Sequence, residues 1–513
     1  MNKVLIKNSK IYDGTGGRPF ISDVLIEDGI IKKIGLNLEI DNSEIVDGTG
    51  KILTPGFINT HSHSELEIFK NPDLPAVIGQ GITTEVLGQD GSSVTPIDDE
   101  HLEELTESMT PLCGQMDKPY WWRSYKEYMD AVEEVNPAVR YVGLVGHGTV
   151  RMNVIGSENR DLTPEELKKT CELIEKCMLE GARGVSFGMI YPPSSYAPAE
   201  ELIEVCKTVA KHDGIIMVHT RNEMARLIES FEEMVYVMKE SGVRMHISHL
   251  KSLGHFNWGK VLIILDRLKE LNAEGYDITF DQYPWTAGST GMKVIAPGWA
   301  YAGGEDAFQE RLKDPEVYKK ILKDTADELY VRGTGKAVQI AAVPLDDWLW
   351  MCGLRLDEIA KRLGMEEPEA VLHILQQTRS SVTCVYHSIC EEDVQKVMQS
   401  PYHTVCTDGI VGAVPHPRAY STYPRFLGRY VRDLNIMPLE TAIQHITSEP
   451  ARRLRLFDRG LIKEGMSADL VLIDYDTVID TNSYAEPKKL PRGILKVWVK
   501  GILRYEGKPE LQF

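Results

Sequence analysis

The chain has 513 residues, 42% apolar and 26% charged, with 76 acidic against 57 basic residues and a formal net charge of −19. That length suits one large catalytic domain with a satellite and excludes a zinc knuckle or a disulfide mini-protein. The acidic balance, without a long Lys/Arg run, argues against nucleic acid and anionic membranes as partners, and no apolar run nears the roughly 18 residues of a membrane span.

Residues 1–8 offer too short an apolar stretch for a signal peptide before Lys7, Asn8 and Ser9 interrupt it, so cytoplasmic residence is expected. Short strands follow at 4–6, 24–26 and 44–46, separated by Asp-Gly turns at 13–14, 28–29 and 47–48. Between these and the C-terminal end the grammar becomes apolar strand, loop, amphipathic helix, repeated, which is the signature of a parallel α/β fold. Candidate strands lie at 52–58, 84–87, 141–145, 184–187, 215–219, 245–249, 278–283 and 404–407. Eight is the number a (β/α)8 TIM-like barrel needs. Thr163, Pro164 and Glu166 predict a capped helix that carries Leu167, Cys171, Ile174 and Met178 on one face and stops at Gly181. More than a hundred residues separate the last two strands, with helical patterns at 315–329 and 357–363, and are expected to form a lid-like helical insertion at about 290–400. Strand patterns return at 470–473 and 494–499. The expected organisation is a small β-sandwich domain from 1–54 and 464–513 around a catalytic barrel at 55–463. The eight cysteines form no CxxC pair, and Cys171 on a helix face and Cys406 in a strand read as core thiols.

Chemistry concentrates at the strand ends. His61 and His63 follow the first apolar strand at i, i+2, so from an extended segment both imidazoles point the same way and can meet one divalent ion. His219 ends the strand at 215–219 and His249 the one at 245–249, so four histidines and Asp408 would crowd one barrel mouth, where barrel active sites are assembled. Asp408, at the tip of the last strand with Gly409 behind it, is placed to take a proton from a metal-activated water and return it to a leaving nitrogen. His246, three residues before His249 on the opposite strand face, reads as a core residue or as a support behind the ligands, and His147 is expected either to hydrogen-bond near the site or to hold the loop after strand three. Tyr191, Tyr196 and the Pro192-Pro193 turn are expected to shape the pocket.

These histidines and Asp408, framed by terminal β segments, resemble the amidohydrolase superfamily. Finer motifs resemble the D-aminoacylases, the N-acyl-D-amino-acid deacylases: Gly146-His147-Gly148-Thr149, Ser186-Phe187-Gly188-Met189-Ile190-Tyr191-Pro192, His219-Thr220-Arg221-Asn222-Glu223, Ser248-His249-Leu250-Lys251 and His416-Pro417-Arg418-Ala419-Tyr420. The resemblance covers nearly the whole chain. It implies a barrel of the amidohydrolase type that hydrolyses the linear amide of N-acyl-D-amino acids, a small-molecule substrate, with one or two Zn²⁺ ions as cofactor. It also implies metal ligation by His61, His63, Asp90, His219 and His249, with Asp408 catalytic. D-aminoacylases usually present a cysteine where this chain has Asp90, and that harder ligand favours Mn²⁺ or Co²⁺ more than a thiolate would. Asn59 stands where amidohydrolases commonly carry an aspartate. Arg418, Lys251, Tyr283 and Ser289 match the family's contacts to the substrate carboxylate. D stereochemistry is implied by the resemblance alone. The alternatives are a dipeptidase or cyclic-amide hydrolase of the same superfamily, or a non-catalytic binding protein. The cyclic-amide branch is disfavoured because Gly184-Val185-Ser186-Phe187 offers no lysine for carboxylation.

Overall fold

In the computed structural model, which describes residues 3–114, 122–410 and 412–507, the capping box predicted at Thr163 is present. The Thr163 side chain accepts from the Glu166 N–H, the Glu166 carboxylate accepts from the Thr163 N–H, and the helix Pro164–Leu179 follows. It buries Ile174, Cys177 and Met178 in a cluster with Val185 and Phe187 of the next strand, which places it on the outside of a parallel sheet.

The barrel strands run Phe57–Asn59, Ile82–Leu87, Arg140–Gly143 continued by Val145–Gly146, Gly184–Gly188, Ile215–His219, Arg244–Ile247, Ile278–Gln282 and His403–Val405. Each pairs in parallel with the next, the third strand being interrupted at Leu144. Closure comes from the segment beyond the last strand. Asp408 N–H donates to the His61 carbonyl at 2.9 Å, Ser62 and Gly409 form a parallel bridge, and the Tyr423 hydroxyl reaches the carbonyls of Ile58 and Val405 at 2.9 and 2.8 Å. At the opposite end Ile58, Val86, Val142 and Met217 pack with Leu454 and Leu456, an apolar plug that leaves the strand tips as the polar mouth.

The two ends of the chain share one eight-stranded sheet, ordered Ile502–Glu506, Ile494–Val499, Leu470–Ile473, Ile52–Pro55, Lys3–Ile11, Phe20–Glu27, Ile30–Gly35, with Ser43–Asp47 also on Lys3–Ile11. Val4, Ile6, Val24, Leu53, Leu470 and Trp498 fill a common apolar cluster. Residues 1–2 and 508–513 of the expected terminal segments lie outside the described residues. One sequence expectation is corrected here. The strand expected at 52–58 is two: Ile52–Pro55 pairs antiparallel with Leu470–Ile473, whereas Phe57–Asn59 opens the barrel. Gly56 is the joint, and a Cβ there would collide with the Thr83 side chain.

The insertion also differs from a purely helical one. Helices Gly304–Arg311, Pro315–Arg332, Leu356–Leu363 and Glu367–Thr378 pack on a three-stranded antiparallel sheet of Gly288–Gly291, Thr383–Tyr386 and Val338–Ala342. Ile321, Ile340, Ile359 and Leu372 belong to its own core. The strand Gly288-Ser289-Thr290-Gly291 has no apolar alternation, so the sequence pattern could not announce it. Among the described residues no helix is long and apolar enough to cross a membrane.

Candidate metal centre

Strand geometry brings the donors together. His61 and His63 follow the first barrel strand, His219 ends Ile215–His219, and Asp90, His249 and Asp408 sit on the turns just beyond their strands. These last three have positive φ, at 56°, 37° and 46°, a conformation that costs a non-glycine residue about 1–3 kcal/mol and that clusters at functional sites. Neighbouring contacts hold them there. His249 N–H donates to Asp281 Oδ1 at 2.5 Å, Asp408 N–H to the His61 carbonyl, and Gly91 N–H to Ser186 Oγ at 3.0 Å beside Asp90. Gly188 lets the Asp90 turn lie against the fourth strand, since a Cβ on it would strike the Asp90 carbonyl oxygen.

Asp90 is the common member of two donor groups, His61, His63, Asp90 and Asp408, and Asp90, His219 and His249, whose ligand atoms within each group lie within 4.8 Å of one another. Its two oxygens divide the work. Oδ2 lies 3.5 Å from Nε2 of both His61 and His63, and Oδ1 lies 3.4 Å from His219 Nδ1 and 3.3 Å from His249 Nε2. Asp408 Oδ1 lies 3.3 Å from His63 Nε2 and 3.8 Å from His61 Nε2, while its Oδ2 pairs with Arg418 Nη2 at 2.9 Å. Glu223 stands behind the second pair, 3.5 Å from His219 Nε2, 3.3 Å from His249 Nδ1 and 2.5 Å from Lys251 Nζ.

Both nitrogens of His61 and of His219, and Nε2 of His63, are buried without a hydrogen-bond partner. Buried polar atoms are seldom left so, and three of them, Nε2 of His61 and His63 and Nδ1 of His219, converge on Asp90, which fits a site for divalent cations. The electrostatics agree. Burial opposes charge on His63, yet Asp408 and Asp90 outweigh it and raise its pKa to about 10. Burial and Lys251 likewise oppose charge on His249, but Asp90 and Glu223 raise it to about 9. Burial lowers His219. Burial works against ionised Asp408 as well, but Arg418 and His63 hold it well below the usual carboxylate range. The carboxylates demand positive charge at this point, which is the charge a divalent ion carries.

A cavity of about 510 Å³ opens over this cluster, lined by Asp90, His219, His249 and Asp408 at its base. Lys251, Tyr283 and Ser289 line it too, whereas Arg418 does not and is fully buried behind Asp408. The Arg418 guanidinium stacks 4.3 Å from the centre of the Tyr283 ring and donates through Nη2 to the Ser289 carbonyl at 3.1 Å. Arg418 Nε and Nη1, Tyr283 Oη and Ser289 Oγ are buried with no partner, so hydrogen-bond donors for an anion gather beside the metal-competent cluster. The insertion supplies one wall of the cavity through Lys293 to Gly298, Arg332 and Tyr386.

Not every expected residue reaches the site. His147 bonds to Ser194 Oγ at 2.8 Å and Glu201 Oε1 at 2.9 Å, away from the donor groups, and so holds the loop that carries Tyr191. His246 lies 3.1 Å from Asp281 Oδ2 and 2.9 Å from Thr279 Oγ1, behind His249. Tyr191 sets its ring edge-on to His219 at 5.3 Å and its hydroxyl 2.8 Å from Thr290 Oγ1. Tyr196 instead ties the loop to the insertion by donating to the Gly298 carbonyl. Sequence reasoning gave no role to Glu223, Asp281 or Glu85. Glu223 carried a signal, an acid four residues past a strand-tip histidine, but Asp281 and Glu85 are acids inside apolar strands whose partners are distant in sequence.

Residues 359–505 match the Amidohydrolase family model. The chain is 30% identical over 503 residues to the D-aminoacylase of Alcaligenes xylosoxydans xylosoxydans, covering 97% of this chain and 93% of the relative. The chain belongs to the D-aminoacylase family of amidohydrolases. It is also 28% identical to the N-acyl-D-glutamate deacylase of the same organism, over 99% of this chain and 94% of that one. Among solved structures, the N-acyl-D-glutamate deacylase of Bordetella bronchiseptica, in complex with zinc and a phosphonate inhibitor, superposes with a TM-score of 0.85 at 27% identity, covering 99% of this chain and 97% of that one. A D-aminoacylase structure concerned with a binuclear metal centre gives 0.84 at 29% identity, over 98% and 96% of the two chains. The fold is that of these relatives, a barrel with a small β domain built from both ends of the chain.

Proposed function

We propose that this D-aminoacylase relative hydrolyses the linear amide of N-acyl-D-amino acids to a carboxylate and a free D-amino acid. The observation that carries it is the Asp90 carboxylate set between two imidazole pairs, with Asp408 and a buried anion-binding cluster beside it. His61, His63 and Asp90 would hold one divalent ion and Asp90, His219 and His249 a second, zinc as in the Bordetella relative, or Mn²⁺ or Co²⁺. When bound, such an ion polarises an amide carbonyl and makes an attacking water more acidic.

The protein's own residues do the rest. Asp408, kept ionised beside Arg418, accepts the proton of the attacking water and delivers it to the departing amine nitrogen, which breaks the C–N bond. The Tyr283 and Ser289 hydroxyls, which line the cavity, engage the substrate carboxylate, the Arg418 guanidinium supports them with positive charge from behind, and Lys251, 6.0 Å from the centre of the Tyr283 ring, adds a second cation. Glu223 orients His219 and His249.

Free-amine release from N-acetyl-D-methionine by wild type and Asp408→Asn, with metal content measured on both, tests this reading. Turnover falls by about 10²–10⁴-fold in the variant while metal content stays near wild type. Retained turnover would remove Asp408 from the mechanism.

A further inference from the structure

The barrel closes along a thin seam. Phe57–Asn59 and His403–Val405 stand at the edges of separate ladders, and their tips are joined by isolated contacts, among them the Asp408–His61 hydrogen bond and the Ser62–Gly409 bridge. A second cavity, of about 100 Å³, opens at this seam. Ser62, His63 and Ser64 line it from the first strand and Thr407 and Gly409 from the last, with buried Glu85 in its wall. The short helix Pro75–Ile78 and Tyr420, from the helix Arg418–Arg425, cover it, and Glu67 and Asn71, both half-buried, stand at its rim. The space therefore runs from the surface to the back of His63. Its volume is well above the roughly 10–15 Å³ that one water needs, and polar groups line it, so it holds water.

Among the described residues the two cavities share no lining residue. The main one meets the donor cluster at Asp90, His219, His249 and Asp408, the rear one at His63, whose Nε2 is buried without a hydrogen-bond partner 3.5 Å from Asp90 Oδ2. Their walls also differ in charge. Lys251, Lys293, Arg221 and Arg332 line the main cavity, which suits an anionic substrate. Among the described residues no basic side chain lines the rear cavity, which offers the carboxylates of Glu67 and Glu85 and the hydroxyls of Ser62, Ser64 and Thr407. Negative charge draws a divalent cation in, and oxygen donors replace the waters it sheds on the way.

We propose that the rear cavity is the path by which the divalent ion held by His61, His63 and Asp90 enters and leaves, separate from the path of the substrate. This rests on the metal-dependent reading above. The ion passes Glu67 and Tyr420 at the rim, follows the hydroxyls along the seam and arrives at His63. The first metal position can thus fill or empty while substrate or product occupies the main cavity.

The test follows uptake of Co²⁺ alone by metal-free full-length protein, read in time from the absorption bands that appear on ligation, with bound cobalt measured at the end point. Ala76→Phe, on the helix that covers the rear cavity, slows one phase of uptake by about tenfold or more, because entry then waits for the protein to open. Tyr420→Ala widens the same mouth and quickens that phase. Gly298→Trp, at the edge of the main cavity where an added side chain meets open space, leaves it unchanged. The cobalt finally bound is the same in all four proteins. Uptake in which no phase responds to the rear variants, or in which that phase is slowed equally by Gly298→Trp, overturns the path and leaves the metal centre standing. Should Ala76→Phe fail to fold, Tyr420→Ala decides between these results by itself. Wild-type protein that binds no cobalt overturns the metal-dependent reading, and the inference with it.

Discussion

Asn59 illustrates how one side chain adjusts a site. Its Nδ2 donates to Glu85 Oε1 and to Thr407 Oγ1, each at 2.8 Å, while its Oδ1 accepts from the Thr407 N–H at 2.9 Å. An aspartate at 59 would set a second carboxylate against buried Glu85, so the amide joins first and last strands without that repulsion. Burial pushes the Glu85 pKa up to about 7 against the hydrogen bonds from Ser64 and Asn59. The folded state therefore holds a proton on Glu85 that the unfolded chain releases above its ordinary value of 4.5. This contribution to stability is complete below that value and is lost as pH rises through 7. In metal-free protein, thermal unfolding midpoints of wild type should fall relative to Glu85→Gln between pH 4.5 and 7, and parallel profiles would contradict the assignment. Glu223 acts through its neighbours, since it touches His219, His249 and Lys251 at once. Glu223→Gln should weaken metal binding by about 10–100-fold in chelator competition, and an unchanged affinity would exclude that role.

At the scale of elements, the site is a set of strand tips held by clamps. The loop bearing Tyr191 is anchored from below by Glu201, which binds His147 Nε2 at 2.9 Å and Arg151 Nε at 3.0 Å. Arg151, fully buried, also donates to the carbonyls of Glu158, Pro193 and Arg160. Arg151→Met strips one counter-ion from a buried carboxylate and leaves these carbonyls unsatisfied. The expected cost is about 3–5 kcal/mol, read as a lower unfolding midpoint, and a midpoint within error of wild type would show that the clamp is not needed. Legibility followed the same physics. Ile215–His219 announces itself as an unbroken apolar run ending in a polar residue, and the period of a strand places His61 and His63 on one side. Pro55-Gly56 marks a turn, yet apolar residues continue across it, and only the long-range pairing of Ile52–Pro55 with Leu470–Ile473 shows that the two halves belong to different sheets. The burial of Arg418 behind Asp408 was equally invisible, for it depends on Tyr283 and Ser289 from elements more than a hundred residues earlier.

For the whole molecule, the net charge of −19 means that an anionic substrate approaches against the average field. Recognition of its carboxylate must therefore come from local groups, and the unpartnered Tyr283 and Ser289 hydroxyls, with Lys251 and the buried Arg418 beside them, gather at the cavity to supply it. The architecture keeps that place apart from the structural demands of the chain. The apolar plug around Leu454 and Leu456 stabilises the end away from the mouth, the terminal sheet has its own core, and the insertion contributes a wall with a third. Specificity can thus change in the insertion while the metal-competent tips stay fixed. The most direct test of this account is hydrolysis of N-acetyl-D-methionine and N-acetyl-D-glutamate, each beside its L enantiomer, by protein reconstituted with Zn²⁺ or Mn²⁺ and assayed for bound metal. Release of amino acid from at least one D substrate, with its L enantiomer inert, is the predicted result; metal-loaded protein that hydrolyses none of the four, or only the L forms, would contradict it.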